Sequence, residues 1–139
     1  MENTINMQDL RHLNLFSKIT KVETRFCFMY NETLMFCVPK FKLPQALGQN
    51  GSNLRRISTI LKKRIRILPR PRDIGDAKNF ISAIISPASF KEIEVNDKEI
   101  VINAGSTQNK ATLFGRNKKR FEEMKKIISN FFDREYRLA

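Results

Sequence analysis

The sequence has no tryptophan, a single histidine, two cysteines, five glycines and five prolines among 139 residues. The cysteines, Cys27 and Cys37, have no run of neighbouring metal ligands, and His12 stands alone, so no zinc-binding spacing is present. A three-residue hairpin loop between the cysteines would set them opposite each other, but reduced buried thiols are the better expectation in a cytosolic chain. No apolar run is long enough to cross a bilayer: even Phe26–Val38 is broken by Asn31 and Glu32. The start, Met1–Glu2–Asn3–Thr4, lacks the basic-then-apolar layout of a signal peptide, so a cytoplasmic location is expected. There is no Walker loop, no nucleophile elbow and no His or carboxylate cluster. The expectation is therefore a protein without catalysis, cofactor, metal or small-molecule substrate. Asp73 and Asp76 are better explained as helix caps than as metal ligands.

The most informative scarcity is acid. From Thr33 to Arg72 there are ten Lys/Arg and no Asp or Glu. The whole chain carries a formal charge of +12. Residues 1–70 hold 13 basic against 4 acidic side chains, and residues 71–139 hold 13 against 10. Solubility does not require acids to vanish over such a length. A polyanion is the expected partner, nucleic acid before an anionic membrane surface.

What is present reads as two copies of one unit. Apolar spacing predicts a helix over Ile5–Thr20. Phe26–Tyr30 and Thr33–Val38, rich in aromatic and β-branched residues, predict a hairpin about Asn31–Glu32. Pro39 ends the sheet, and Pro44 starts a short helix to Leu47. Gly48–Gln49–Asn50–Gly51 is a turn. Ser52 or Asn53 caps a helix carrying Leu54, Ile57 and Leu61 on one face. Arg64–Leu68 alternates as a strand, with Ile65 and Ile67 inward and Arg64 and Arg66 outward.

Pro69–Arg70–Pro71–Arg72 is a stiff connector and the best boundary, expected to fix the two halves into one continuous surface. Beyond it come a helix over Ala77–Ile85 capped by Asp73 or Asp76 and a hairpin of Phe90–Val95 with Glu99–Asn103. A loop over Gly105–Asn109 and a short helix over Lys110–Phe114 follow, then a break at Gly115. Lys118–Phe132 is an amphipathic helix with Phe121, Met124, Ile128 and Phe131 on one stripe, and Glu135–Leu138 is a last strand. The hairpin turns and the glycine turns recur at nearly the same separation, which a duplicated unit explains.

This order of elements, with Gly48–Gln49–Asn50–Gly51 as a GxxG loop, resembles the prokaryotic-type (type II) KH domain. Two such modules joined by an Arg/Pro linker resemble the archaeal NusA-like transcription termination and antitermination proteins. The stretches that carry the likeness are Ala46–Arg56 and Phe114–Arg120. The resemblance implies an α+β fold of two tandem type II KH-like modules, 1–70 and 71–139, each a small mixed sheet packed by helices. It implies single-stranded RNA, as nascent transcript, for a ligand, and RNA polymerase as a larger partner.

The second module keeps one glycine of the loop. Either Gly115 is the first and Lys118 replaces the second, or Gly115 is the last and Thr112 replaces the first. Its contribution is then expected from the charge of Arg116, Lys118, Lys119 and Arg120 rather than from a glycine clamp.

A GxxG turn between helices lets the backbone approach phosphates and presents the amides of a helix N-terminus. Taken alone, two glycines mean no more than a helix cap and a loop. Together with the module order, the repeat and the charge they make the expected RNA grip: Gly48, Gln49, Asn50, Gly51, Ser52 and Asn53, with Arg55, Arg56, Arg64 and Arg66. Gly115, Arg116, Asn117, Lys118 and Lys119 are expected to support it. Each phosphate pairing adds about one unit to the salt slope of binding. Phe26, Phe28, Tyr30 and Phe36 are expected in the core rather than stacked on bases. His12 is expected to be incidental, and Glu122 and Glu123 to face solvent as partners of nearby lysines. A basic protein-interaction module, or a ribosome-associated RNA-binding module without a termination role, is the alternative reading.

Overall fold

The computed structural model describes residues 7–139. The reading of Met1–Thr4, and the first two residues of the helix expected from Ile5, lie outside the described residues. The chain divides into two compact units that part between Arg70 and Pro71.

The first unit runs α1 (Met7–Thr20), β1 (Phe26–Tyr30), β2 (Thr33–Val38), α2 (Leu43–Leu47), α3 (Ser52–Leu61) and β3 (Arg64–Pro69). The sheet has the order β1-β2-β3, with β1 antiparallel and β3 parallel to the central β2. Asn31 and Glu32 both take positive φ, 50° and 61°, which gives a two-residue turn matched to the strand twist. The two-residue loop pairs Cys27 with Phe36 and Phe26 with Cys37. The cysteines therefore project from opposite faces of the sheet, and both are free thiols. Pro69, which has no N–H, closes β3 at the edge of the sheet.

One face of this sheet packs on the helices. Leu34, Phe36, Val38, Ile65 and Ile67 meet Leu13 and Phe16 of α1, Ala46 of α2 and Ile57 of α3 in one core. Phe16 and Phe36, both fully buried, stack with centroids 4.4 Å apart. The other face carries Phe26, Phe28, Tyr30, Thr33, Met35, Cys37, Arg64, Arg66 and Leu68 by strand alternation. Tyr30 and Phe36 are buried and Phe26 and Phe28 half-buried, so the hairpin aromatics serve packing. His12 is also buried, at 7% exposure.

The second unit repeats the plan as α4 (Ala77–Ile85), β4 (Glu92–Val95), β5 (Glu99–Asn103), α5 (Thr107–Phe114), α6 (Lys119–Phe132) and β6 (Glu135–Leu138). Its sheet has the order β4-β5-β6, again antiparallel then parallel. Both units are thus α+β with a small mixed sheet. Met124, Ile127, Ile128 and Phe132 of α6 are buried, while Phe121 and Phe131 lie half-buried against aromatic neighbours. Phe121 stacks on Phe114, and Phe131 leans on Phe80.

Three local expectations are corrected. The helix before Gly115 begins at Thr107, not Lys110, because Ser106 caps it by accepting from the Asn109 N–H at 3.1 Å. The strand expected from Phe90 starts at Glu92. Asp73 accepts from Gly75 N–H and caps a short 3-10 turn ahead of α4. Asp76 instead accepts from the backbone N–H of Arg72 and pairs with its guanidinium at 3.0 Å, which raises the Arg72 pKa.

Truncating Phe16→Ala removes the ring that joins α1 to the sheet. The loss should be about 3–5 kcal/mol in urea unfolding. Burial and the nearby Lys63 ammonium lower the His12 pKa, against a smaller raising effect of Asp9. The unfolded chain then takes up the proton more readily than the folded one. The His12 contribution is therefore fully present above the unfolded pKa of about 6.5 and is lost as pH falls from there through the lower folded pKa. In thermal unfolding across that range, His12→Gln should show a smaller loss of stability with acid than the parent chain.

Candidate nucleic-acid interface

The glycine turn sits where two helices of the first unit meet. α2 is held to the core by Ala46, with Leu43 and Leu47 packed beside it, and α3 by Ile57, with Leu54 and Leu61. Between them the chain must reverse within four residues. Gly48 ends α2 by donating to Pro44 O at 3.1 Å, and its own carbonyl accepts from Gly51 N–H at 3.1 Å. Gly48 is therefore both a helix cap and the first residue of the turn.

Its backbone, φ 78° and ψ 171°, lies in a region open essentially to glycine alone. A Cβ there would also stand 2.9 Å from the Asn53 backbone nitrogen and 2.8 Å from Ser52 Oγ. Asn50 (φ 56°) and Gly51 (φ 72°) are left-handed. A Cβ on Gly51 would meet nothing nearer than the Arg55 guanidinium, at 3.5 Å. The two glycines of the motif thus do different jobs. The first is sterically required, and the second relieves a modest backbone preference.

Side chains brace the turn. The Arg55 guanidinium donates to the Asn50 carbonyl, and Asn53 Nδ2 donates to Gln45 O at 3.2 Å, tying α3 to α2. Neither Ser52 nor Asn53 caps α3, contrary to expectation. The helix starts at Ser52 behind a left-handed Gly51, and no side chain accepts from its first turn. That turn also holds no acidic residue. Gln49, Asn50, Ser52, Arg55 and Arg56 are exposed, and Gly48, Gly51 and Asn53 half-exposed. A helix N-terminus with its positive dipole end and no carboxylate beside it favours an anion. Arg55 spends one of its five donors on the loop and keeps others for a phosphate.

Arg64 and Arg66 are not part of this cluster. They alternate with Ile65 and Ile67, whose side chains join the core under α1 and α3, so the arginines leave the opposite face of the sheet. Arg64 is exposed and Arg66 half-buried. One residue of note escaped sequence reasoning: Phe41, 81% exposed in the turn before α2, lies between Lys40 and Lys42. Its signal was an aromatic flanked by two lysines just ahead of the glycine turn.

The second unit builds the same turn. Gly115 has φ 75° and ψ 173°, donates to Ala111 O at 3.0 Å and accepts from Lys118 N–H at 3.2 Å. Asn117 (φ 57°) and Lys118 (φ 59°) repeat the left-handed pair. Gly115 therefore matches Gly48, and Lys118 stands where Gly51 does. The alternative with Thr112 as the first position is set aside, because Thr112 lies inside α5. A Cβ on Gly115 would press to 2.7 Å of Arg120 Cγ.

The same alignment sets Lys119 and Arg120 at the places of Ser52 and Asn53, and Glu122 and Glu123 at those of Arg55 and Arg56. Arg116, Asn117, Lys118 and Lys119 are exposed. Glu122 occupies the first turn of α6. The first turn of α6 therefore carries a carboxylate near the positive end of the helix dipole, whereas that of α3 carries none. The two turns share a backbone and differ in electrostatics.

Gly48→Ala should cost about 2–4 kcal/mol, from a glycine-only conformation together with a backbone clash. Gly51→Lys, which copies the second unit, should cost only about 1–2 kcal/mol. Urea unfolding of the two variants checks the order, and equal losses would contradict the division of labour.

No protein-family model matches the chain. Distant relatives cover nearly all of it. It is 20% identical over 135 residues to the "Probable transcription termination protein NusA" of Halococcus morrhuae, spanning 96% of this chain and 95% of that one. It is 19% identical over 135 residues to the protein of the same name from Thermoplasma acidophilum, spanning 95% and 92%. The Methanococcus vannielii protein of that name is 24% identical over 95 residues, 68% of this chain and 53% of that protein. In fold, the chain is similar to the crystal structure of APE1850, with a TM-score of 0.64 and 22% identity over 97% of this chain and 100% of that one. Among the described residues, no helix is long and apolar enough to cross a membrane. At the level of sequence, the chain is a distant relative of archaeal proteins named NusA.

Proposed function

We propose that this chain is a single-stranded RNA-binding transcription factor of the NusA type, built from two type II KH-like modules, 1–70 and 71–139. It acts without catalysis or cofactor, on nascent RNA and with RNA polymerase as a larger partner, in termination or antitermination. The observation that carries the reading is the glycine turn built twice on one backbone, with only the first copy free of acids. The distant relatives named as transcription termination proteins support it.

In this reading the first module makes the principal contact. RNA phosphates approach the backbone at Gly48–Gly51 and the start of α3 at Ser52 and Asn53, and Arg55 and Arg56 pair with them. Gln49 and Asn50 add donors without blocking the approach. Phe41, flanked by two lysines, offers a ring on which a base can stack. Arg64 and Arg66 act from the far face of the sheet through the general positive field rather than in the grip itself. The second module contributes charge from Arg116, Lys118 and Lys119 around Gly115 and Asn117, weakened by Glu122 and Glu123.

The doubly substituted Gln49→Asp, Asn50→Asp chain should lose single-stranded RNA binding at moderate salt while keeping its unfolding midpoint. Fluorescence anisotropy with a short labelled RNA reads the first, and thermal unfolding the second. Retained affinity would refute the loop assignment. Aspartates at Arg116 and Asn117 should cost less, and an equal loss would show that both modules grip alike. Recovery of ribosomal components without RNA polymerase on purification from cells would favour a ribosome-associated role.

A further inference from the structure

Packing of α1 on β1 assembles a donor set that no stretch of sequence contains. Asp9 and His12 stand three residues apart, so they share one face of α1. Cys27 pairs in register with Phe36, and Phe36 stacks on Phe16 of α1, so Cys27 projects from β1 toward that helix. A carboxylate oxygen of Asp9, a ring nitrogen of His12 and Sγ of Cys27 all lie within 4.8 Å of one another. Sγ is 3.9 Å from Asp9 Oδ1.

The second observation is independent of the spacing. His12 is 7% exposed, and its Nδ1 is buried with no hydrogen-bond partner. A buried imidazole nitrogen left unpaired costs about 1–3 kcal/mol unless something satisfies it. Nothing in the RNA-binding reading uses this histidine.

We propose that Asp9, His12 and Cys27 form a binding site for a zinc-class divalent cation, pinning α1 to β1. Nitrogen, thiolate and carboxylate donors suit a borderline-soft ion, and three protein ligands leave a fourth position for water. The cluster must contract for its donors to reach about 2.0–2.3 Å from one ion. That movement falls on χ rotations of Asp9 and Cys27, both half-buried. The ion replaces the Sγ proton, which leaves to solvent. Bound thiolate and carboxylate then balance the two positive charges. Lys63, whose ammonium acts on His12, is the adverse neighbour, and Asp9 the favourable one. Without an ion, burial and Asp9 push the Cys27 thiol up to about 12, so the thiol stays protonated and unreactive at neutral pH. Uptake should therefore release one proton per ion and weaken as pH falls.

The test uses the full chain, free of any histidine tag and stripped with a chelator, titrated with Co2+ and then Zn2+. One Co2+ per chain, with a thiolate-to-cobalt charge-transfer band that Zn2+ displaces, is the expected result. Zn2+ should also raise the thermal midpoint. Cys27→Ser should abolish the band, His12→Gln should abolish stoichiometric binding, and Asp9→Asn should weaken it about tenfold. Cys37→Ala should leave binding intact, since Cys37 lies on the other face of the sheet. No thiolate band in the parent chain, or binding unchanged in both Cys27→Ser and Asp9→Asn, would overturn the proposal. Should Cys27→Ser fail to fold, the parent band and the Asp9→Asn affinity decide the matter alone. RNA affinity is read separately and has no bearing on the outcome.

Discussion

A side chain at position 48 has no room. Its Cβ would sit against the backbone nitrogen of Asn53, and its φ and ψ belong to a region that only glycine occupies cheaply. This constraint orders the whole first unit. α2 can stop and α3 can start only if the chain reverses tightly there, and the reversal leaves the α3 N-terminus uncapped and exposed. The core of Phe16, Phe36, Ala46 and Ile57 holds the two helices at the separation that the turn spans. The same constraint returns at Gly115, against Arg120. The second glycine of the motif is under no such pressure, and in the second unit it is a lysine in the same left-handed conformation.

What distinguishes the two turns is charge. The first lies in a stretch of forty residues, 33–72, that contains no acid, and its helix opens on Arg55 and Arg56. The second opens on Glu122 and Glu123. A carboxylate in the first turn of a helix takes the electrostatic place that a phosphate would fill. Identical backbone geometry therefore supports an asymmetric reading, in which one module grips and the other assists. Arg55 shows how the two demands combine. It steadies the loop by bonding the Asn50 carbonyl and still presents its remaining donors outward.

The α1–β1 contact raises a different issue. The sequence spaces Asp9, His12 and Cys27 too irregularly to suggest a metal site, and the cysteines and the single histidine read as unrelated residues. Strand register and helix packing bring the three together, and burial strips the histidine of water without giving its Nδ1 a protein partner. An isolated group is read correctly as incidental only while its neighbours in space are unknown.

The sequence by itself determined the elements, their order and their duplication. Apolar period, proline positions and the turn residues at Asn31 and Gly48 are local signals, and they set β1, β2, β5 and β6 at the observed residues. Where a local signal was misread, as at the start of α5, a cap competed with it: Ser106 holds Asn109 and lengthens the helix backward. The inward turn of Ile65 and Ile67 was legible as well, since a strand alternates whatever packs on it. Which arginines share a surface was not. Arg64 and Arg66 look continuous with Arg55 and Arg56 in sequence, but the strand sends them to the face away from α3. The choice of Gly115 over Thr112 as the first loop position, and the meeting of Asp9, His12 and Cys27, likewise belong to the tertiary structure. Both depend on φ and ψ values or on contacts between residues distant along the chain, and these are fixed only when the core closes.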